Sequence, residues 1–316
     1  MVRGSLEDVA SFLQSAQDVV IVSHINPDGD AIGSMAAMGH IVRAMGKQVA
    51  FVHETGVPQR FSFLLDAPCA VYDDAMGPRP HVVCVDCASL ERIGAVQRMC
   101  HGAVLNIDHH ATNVGYGSHN YVVPHAASTT HVLMDVMRHL RVPLTQPLAS
   151  CVYAGLLTDT GGFRFRSATA DVFAVAHELV CAGADAHALA FRLLEQKTMQ
   201  HVHVLARALQ TLSFAQENKV AWVVLDRDAL AGAGEDDIEG IVHIPTMIAG
   251  VHVGVLFKQK GDHEVKVSLR AQADVNVARI AEQFGGGGHI LAAGCTVHDT
   301  LEHAIQRVIA AVCCAV

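Results

Sequence analysis

"DVVIVSHINPDGDAIGSMAAMGHIVRAMG", residues 18–46, joins a β-branched apolar run, a turn rich in Pro, Asp and Gly, and an apolar pattern of helical spacing that stops at a glycine. The run up to His24 has strand composition, and the pattern after Asp30 has the period of a helix. Asp30 is placed to cap that helix and Gly46 to end it. Strand-like runs recur at "KQVAFVH", "HVVCVDC" and "GAVLNIDHH", with helical patterns between them. Ser89 is placed to cap a helix after "VVCVD", and Ser128 one beginning near "STTHVLMDVM". This alternation predicts an α/β fold, a parallel sheet with helices on both faces.

The grammar changes in the second half. Residues 187–212, with "HALAFRLLEQKTMQHVHVLARALQ", read as one long connecting helix. Beyond it come "KVAWVVLD", a helix near "DDIEGIVHIPTMI", paired strands "VHVGVLFKQ" and "EVKVSLRA" around "KGDH", a helix "NVARIAEQF", a glycine run, a strand "AAGCTVH" and a final helix. The expected organisation is a sheet domain over 1–186, a helical connector over 187–212 and a smaller mixed-sheet α+β domain over 213–316.

Composition narrows the function. With 316 residues and 51% hydrophobic content, two cores of ordinary size are attainable. No stretch has the roughly 18 uninterrupted apolar residues of a membrane span, and the first residues lack a signal-peptide core, so a cytoplasmic protein with no membrane partner is expected. The nine cysteines are an odd number set in apolar segments and read as reduced, mostly buried thiols. A formal charge of −9 argues against coating long duplex nucleic acid, which needs a basic face. Any nucleic acid bound here is expected to be short. A homodimer is compatible with the sequence, which sets no oligomeric state.

Taken alone, "HINPDGD" is equally a capped turn and half of a metal site. The other segment ends decide more. "VVCVD" stops at Asp86, "VLNIDHH" at Asp108, His109 and His110, and the helical "ASCVYAGLLTDTGGF" runs into Asp159. In an open parallel sheet the carboxyl ends of the strands share one edge, where ligands bind. Carboxylates gathered there raise one another's pKa unless cations compensate them. Carboxylate with imidazole and no thiolate suits Mn²⁺, with Mg²⁺, Fe²⁺ or Co²⁺ as alternatives. The donors suffice for two divalent ions, a recurrent device for hydrolysing phosphate esters.

"HINPDGDAIGS", "VDCAS", "IDHHATN" and "LLTDTGGFRF", in this order, resemble the motifs of the DHH phosphoesterases, and "VKVSLRA" with "VNVARIAEQFGGGGHILAAG" resembles the DHHA1 domain that accompanies them. Within the family the pairing is most similar to the bacterial oligoribonucleases that also dephosphorylate 3′-phosphoadenosine 5′-phosphate (PAP). The resemblance implies that His24 and Asp28 bind one metal, that Asp30, His109 and Asp159 bind the other, and that Asp86 bridges them. It implies that His110 faces the substrate phosphate, with Asp108 orienting a histidine, so the catalytic set is Asp86, Asp108 and His110. Arg270 and the run Gly286, Gly287, Gly288 and His289 would grip the substrate, although such a run is also a common hinge. Ala271 stands where relatives tend to carry serine, a departure at the gripping site, and Val123 precedes Pro124 where an acidic residue is usual; neither is an expected metal ligand. The expected reaction is attack on phosphorus by water that the ions activate, in nanoRNA, PAP or a dinucleotide. A cyclic di-AMP or pApA phosphodiesterase shares every motif, and a non-catalytic nucleotide sensor is the reading from a different class.

Overall fold

The computed structural model describes residues 4–272 and 275–316. By its contacts the chain divides into two compact units, Met1–Gln196 and Lys197–Val316. The first is built on a six-stranded sheet of β1 (Asp18–Val22), β2 (Gln48–His53), β3 (Cys69–Val71), β4 (His81–Val85), β5 (Ala103–Asp108) and β6 (His119–Val122). All pairings are parallel and the order is β3-β2-β1-β4-β5-β6. The chain therefore winds outward from β1 in one direction and from β4 in the other. The crevice at the carboxyl ends of these two central strands is the switch point of the topology.

The strands are apolar on both faces because both faces are covered. Val19, Ile21, Phe51, Val83, Leu105 and Ile107 pack in the larger core against α1 (Leu6–Ser15), α2 (Gly29–Ala44), α3 (Thr129–His139), α4 (Gln146–Asp159) and α5 (Ala170–Cys181). Val20, Val22, Val82 and Cys84 meet Ile93, Val96 and Met99 on the opposite face. That second cover is a 3₁₀ run, Leu90–Met99, kinked at Gly94, where an α-helix was expected. Ser89 precedes it without a side-chain capping bond. Ser128 does cap α3, its Oγ accepting from the His131 N–H at 3.0 Å.

The expected single helix over 187–212 is broken. α6 (Ala186–Ala190) continues as one π turn, Phe191–Glu195, and α7 (Met199–Gln210) starts anew with Thr198 accepting from the His201 N–H. In the second unit β7 (Ser213–Ala215), β8 (Val220–Leu225), β9 (Val253–Gly261), β10 (Glu264–Ala271), β11 (Gly287–His289) and β12 (Ala292–Val297) form a mixed sheet in the order β11-β12-β10-β9-β8-β7. Only β8 and β9 pair in parallel. α8 (Glu235–Ile238) is a single turn followed by 3₁₀ segments, while α9 (Val277–Glu282) and α10 (Leu301–Cys313) pack on one sheet face over Val265, Val267 and Leu269. Of the nine cysteines four are buried, three half-buried and two exposed, and all are free thiols. No single described helix is long and apolar enough to cross a membrane.

Candidate metal centre

Strand register aligns the acidic ends. Val22 pairs with Cys84 and Cys84 with Asn106, so His24, Asp86 and Asp108 each stand two residues further along adjacent strands. The turn after β1 then supplies Asp28 and Asp30. Asp28, not Asp30, caps α2: its Oδ1 accepts from the Asp30 and Ala31 N–H groups at 3.0 Å each. Asp30 enters the first helical turn instead and is fully buried. Its Oδ2 accepts from the Thr129 N–H at 2.6 Å, and its Oδ1 from the Thr130 N–H at 3.0 Å and the Thr130 hydroxyl at 2.9 Å. The amino end of α3 thus holds this carboxylate with three donors, where unpaired N–H groups and the helix dipole favour negative charge.

Asp86 lies at the centre. Its backbone is left-handed, φ 57°, rare for a residue with a side chain. Its N–H donates to the Ile107 carbonyl at 3.0 Å, and its Oδ1 accepts from the Thr129 hydroxyl at 2.9 Å. Oδ2 lies 3.5 Å from His24 Nε2, and Oδ1 lies 3.6 Å from His109 Nε2. His24 Nδ1 is 2.8 Å from the Ile25 carbonyl and His109 Nδ1 is 3.3 Å from that of Ala126. Both rings therefore donate from Nδ1 to a carbonyl and turn Nε2 toward the carboxylates. His109 Nε2 is 3.2 Å from Asp159 Oδ2, at the last residue of α4.

Asp108 is buried behind the histidines. Its Oδ1 accepts from the His109 N–H and from His110 Nδ1, both at 2.8 Å, and its Oδ2 from the Asn113 amide at 2.6 Å. Those bonds fix the His110 ring with Nε2 on the far side. Three groups of donors come within 4.8 Å of one another: His24, Asp28 and Asp86; Asp30, His109 and Asp159; and Asp86, His109 and His110.

The electrostatics are those of crowded acids. Burial, then the charges of Asp86 and Asp28, push Asp30 well above the usual carboxylate range against the pull of the Thr130 and Thr129 N–H bonds. Burial, then Asp30 and Asp86, push Asp159 up to about 10. Asp86 goes the other way: burial would raise it, but the His24 hydrogen bond and the charges of His109, His24 and His110 lower it to about 2. Burial lowers His24, yet its bond to Asp86 and that charge outweigh burial and its pKa rises. The Asp108 hydrogen bond raises His110.

Thr129, Thr130 and Asn113 complete the site, and their sequence context, "STT" at a helix start and "ATN" within a motif, does not mark them as site residues. For the two threonines the signal is their place in the first, buried turn of a helix; Asn113 has none. Gly155 on α4 belongs with them: a Cβ there would sit 2.4 Å from Asp30 Oδ1 and 2.5 Å from the Thr130 side chain.

In the second unit Arg270 is half-buried on β10, with Nη1 donating to the Leu269 carbonyl at 2.9 Å. Burial lowers its pKa. The glycine run is no loose hinge. Gly287, Gly288 and His289 form edge strand β11, antiparallel to Gly294, Ala293 and Ala292 of β12.

Metal-type donors at the switch point of a parallel sheet, joined to a second mixed-sheet unit, define a phosphoesterase of the DHH kind. The chain belongs to that family: residues 18–156 match the DHH family, N-terminal domain, and residues 217–314 the DHHA1 domain. It is 34% identical over 308 residues to the bifunctional oligoribonuclease and PAP phosphatase NrnA of Thermus thermophilus, covering 96% of this chain and 92% of that protein. Among solved structures it is similar to an exopolyphosphatase-related protein from Bacteroides fragilis, with TM-score 0.89, 24% identity and 97% and 94% of the two chains covered. RecJ of Thermus thermophilus in complex with Mn²⁺ shares the fold at TM-score 0.58 and 14% identity, over 98% of this chain and 54% of RecJ.

Proposed function

We propose that this chain is a two-metal phosphohydrolase that degrades very short oligoribonucleotides to mononucleotides and converts PAP to AMP. The observation that carries the reading is the meeting of three donor groups linked through Asp86 and His109, which suits two neighbouring ions and explains why so many acids are buried together. His24 and Asp28 would hold one ion, Asp30, His109 and Asp159 the other, with Asp86 common to both. Mn²⁺ fits the carboxylate and imidazole set, and RecJ, which shares the fold, is known with Mn²⁺. Bound there, such ions supply Lewis-acid activation of water and of the phosphate ester.

The chain's own groups do the rest. Asp108 keeps the His110 ring oriented and its pKa raised, which favours the protonated ring, whose Nε2–H can donate to a phosphate oxygen. Thr129 and Thr130 hold the acidic ligands in place. Arg270 and the segment Gly286–His289 serve as the grip on the nucleotide, in the substrate half that begins near residue 213, and the activity is placed in the cytoplasm. The NrnA name of the Thermus relative supports this choice of substrates.

The test is a rate panel on a diribonucleotide, PAP, pApA and cyclic di-AMP with Mn²⁺, alongside metal content. Fastest turnover of the diribonucleotide and PAP is expected, with loss of at least about 10³-fold in Asp86→Ala. Fastest turnover of cyclic di-AMP or pApA would shift the substrate. Tight nucleotide binding without hydrolysis by folded, metal-loaded protein would replace the enzyme with a sensor.

A further inference from the structure

The glycines at 285–288 are not all there for the same reason. Gly285 and Gly288 have φ of +73° and +147°, backbone that side chains rarely adopt, and a Cβ on Gly286 would lie 2.2 Å from the Gly294 carbonyl oxygen. Gly287 is different. Its φ lies outside that range, and a Cβ there would meet no heavy atom within 4 Å. The fold does not need a glycine at 287, so the open space above it calls for another explanation.

Register shows what surrounds that space. Gly287 pairs with Gly294 and Gly294 with Ser268, which makes a row across three strands whose largest side chain is a hydroxymethyl. On one side the next row is His289, Ala292 and Arg270; on the other, Thr296 pairs with Lys266. In β10 the burial alternates, so Lys266, Ser268 and Arg270 share the face opposite the buried Val265, Val267 and Leu269. A groove of about 640 Å³ runs here, lined by Lys266, Ser268, Thr296, His298 and the glycine turn. Lys266 lines the groove, and Arg270 stands one row beyond the flat floor on the same face of the sheet. Four residues of strand separate them, about 13 Å, a span that an extended trinucleotide covers and a nucleoside bisphosphate does not.

We propose that this groove is an added phosphate subsite. A ribose or base lies flat over Gly287, Gly294 and Ser268 beside Arg270, and Lys266 holds a phosphodiester further along the strand, so Lys266 sets the preference for substrate length. The inference rests on the short-RNA reading of the activity. It adds a named residue and a length rule to it.

The experiment compares full-length, Mn²⁺-loaded wild type, Lys266→Gln and Gly287→Ala on PAP and on an adenylate trinucleotide across a salt series. Lys266→Gln is expected to lower kcat/KM for the trinucleotide, through KM, about tenfold more than for PAP, the loss of one charged hydrogen bond. The salt slope of log kcat/KM for the trinucleotide should fall by about 0.7, one single-strand phosphate contact. Gly287→Ala should raise KM with its melting temperature unchanged, while Gly286→Ala, which meets the Gly294 carbonyl, loses stability. Equal effects of Lys266→Gln on both substrates, or an unaltered salt slope, overturn the subsite, as does an unaltered KM in Gly287→Ala. If wild type hydrolyses neither substrate, the activity reading falls instead. The groove is then judged by calorimetric titration of the trinucleotide into wild type and Lys266→Gln, where equal affinities overturn it.

Discussion

Thr129 is tied to both halves of the centre. Its N–H binds Asp30 Oδ2 and its hydroxyl binds Asp86 Oδ1, and it is fully buried. With two donors on Asp30 Oδ1, that oxygen has no lone pair to spare, and Oδ2 is left with one. Asp86 keeps one lone pair on Oδ1 and both on Oδ2, one oxygen toward His109 and the other toward His24. Thr129→Val keeps the shape and the N–H but removes the hydroxyl, so Asp86 is free to rotate. Mn²⁺ affinity by calorimetry should weaken about 10- to 100-fold, and Thr129→Ser should restore it. Unchanged affinity in the valine variant would show that the left-handed backbone of Asp86 suffices to fix the carboxylate. The carboxylates and imidazoles themselves were legible because each ends an apolar segment, where a charged group has no packing reason to stand. Thr129 and Asn113 were not, because threonine at a helix start and asparagine in a turn are ordinary on local grounds, and only tertiary contact gives them partners.

At the scale of elements, the strands were the most legible part, since β-branched runs buried on both faces have no other stable use. The helices were less so. The apolar period resumes on both sides of the polar run "EQKT", residues 195–198, where Gln196 is extended and Thr198 caps a new helix; that run is the break's only mark in the sequence. The Leu90–Met99 segment failed as an α-helix because Gly94 sits at φ 63°, outside helical geometry. The α2–α4 contact carries the site most directly. α2 is buried almost all round, and α4 approaches close enough that Gly155 stands against Asp30 and Thr130. Gly155→Ala inserts a methyl group where neither neighbour has space, and overpacking of this kind costs about 1–3 kcal/mol. Thermal unfolding should show that loss, and metal affinity should fall with it because the displaced group is a carboxylate of the centre. A stabilised Gly155→Ala protein, as helix propensity alone predicts, would mean that α4 shifts freely away from α2.

Over the whole molecule, protons and metal ions compete for the same groups, and the sign of that competition follows from the pKa directions. Asp159, raised to about 10, is protonated in the folded metal-free protein at neutral pH but ionised in the unfolded chain, and Asp30 is shifted in the same direction. Their contribution to stability is complete below the unfolded carboxylate value, about pH 4, and is lost as pH rises toward the folded values. His24 and His110, also raised, contribute below about pH 6.5 and lose that contribution as pH rises through their folded values. Asp86, lowered to about 2, contributes above about pH 4 and loses its contribution only as pH falls toward 2, so it is constant across pH 6–9. The raised groups act in one direction, whereas His40, His53, His131 and His243, lowered chiefly by burial, oppose them until pH passes their unfolded value of about 6.5; above that, the metal-free protein should melt at progressively lower temperature from pH 7.5 to pH 9. Divalent cations take the place of those protons. Saturating Mn²⁺ should flatten the dependence, and its binding near pH 6.5 should release protons, measurable as a buffer-dependent heat in calorimetry. Hydrogen exchange on the full chain localises the effect: protection that depends on pH and metal is expected at the ends of β1, β4 and β5 and at the start of α3. Protection in β9, β10 and β12 should respond to nucleotide rather than to metal, because the raised carboxylates Asp30 and Asp159 belong to the first unit while the glycine groove lies in the second. A metal-free protein equally stable at pH 7.5 and pH 9 would mean that the buried acids do not hold raised pKa values, and the argument for two bound ions would lose its electrostatic basis.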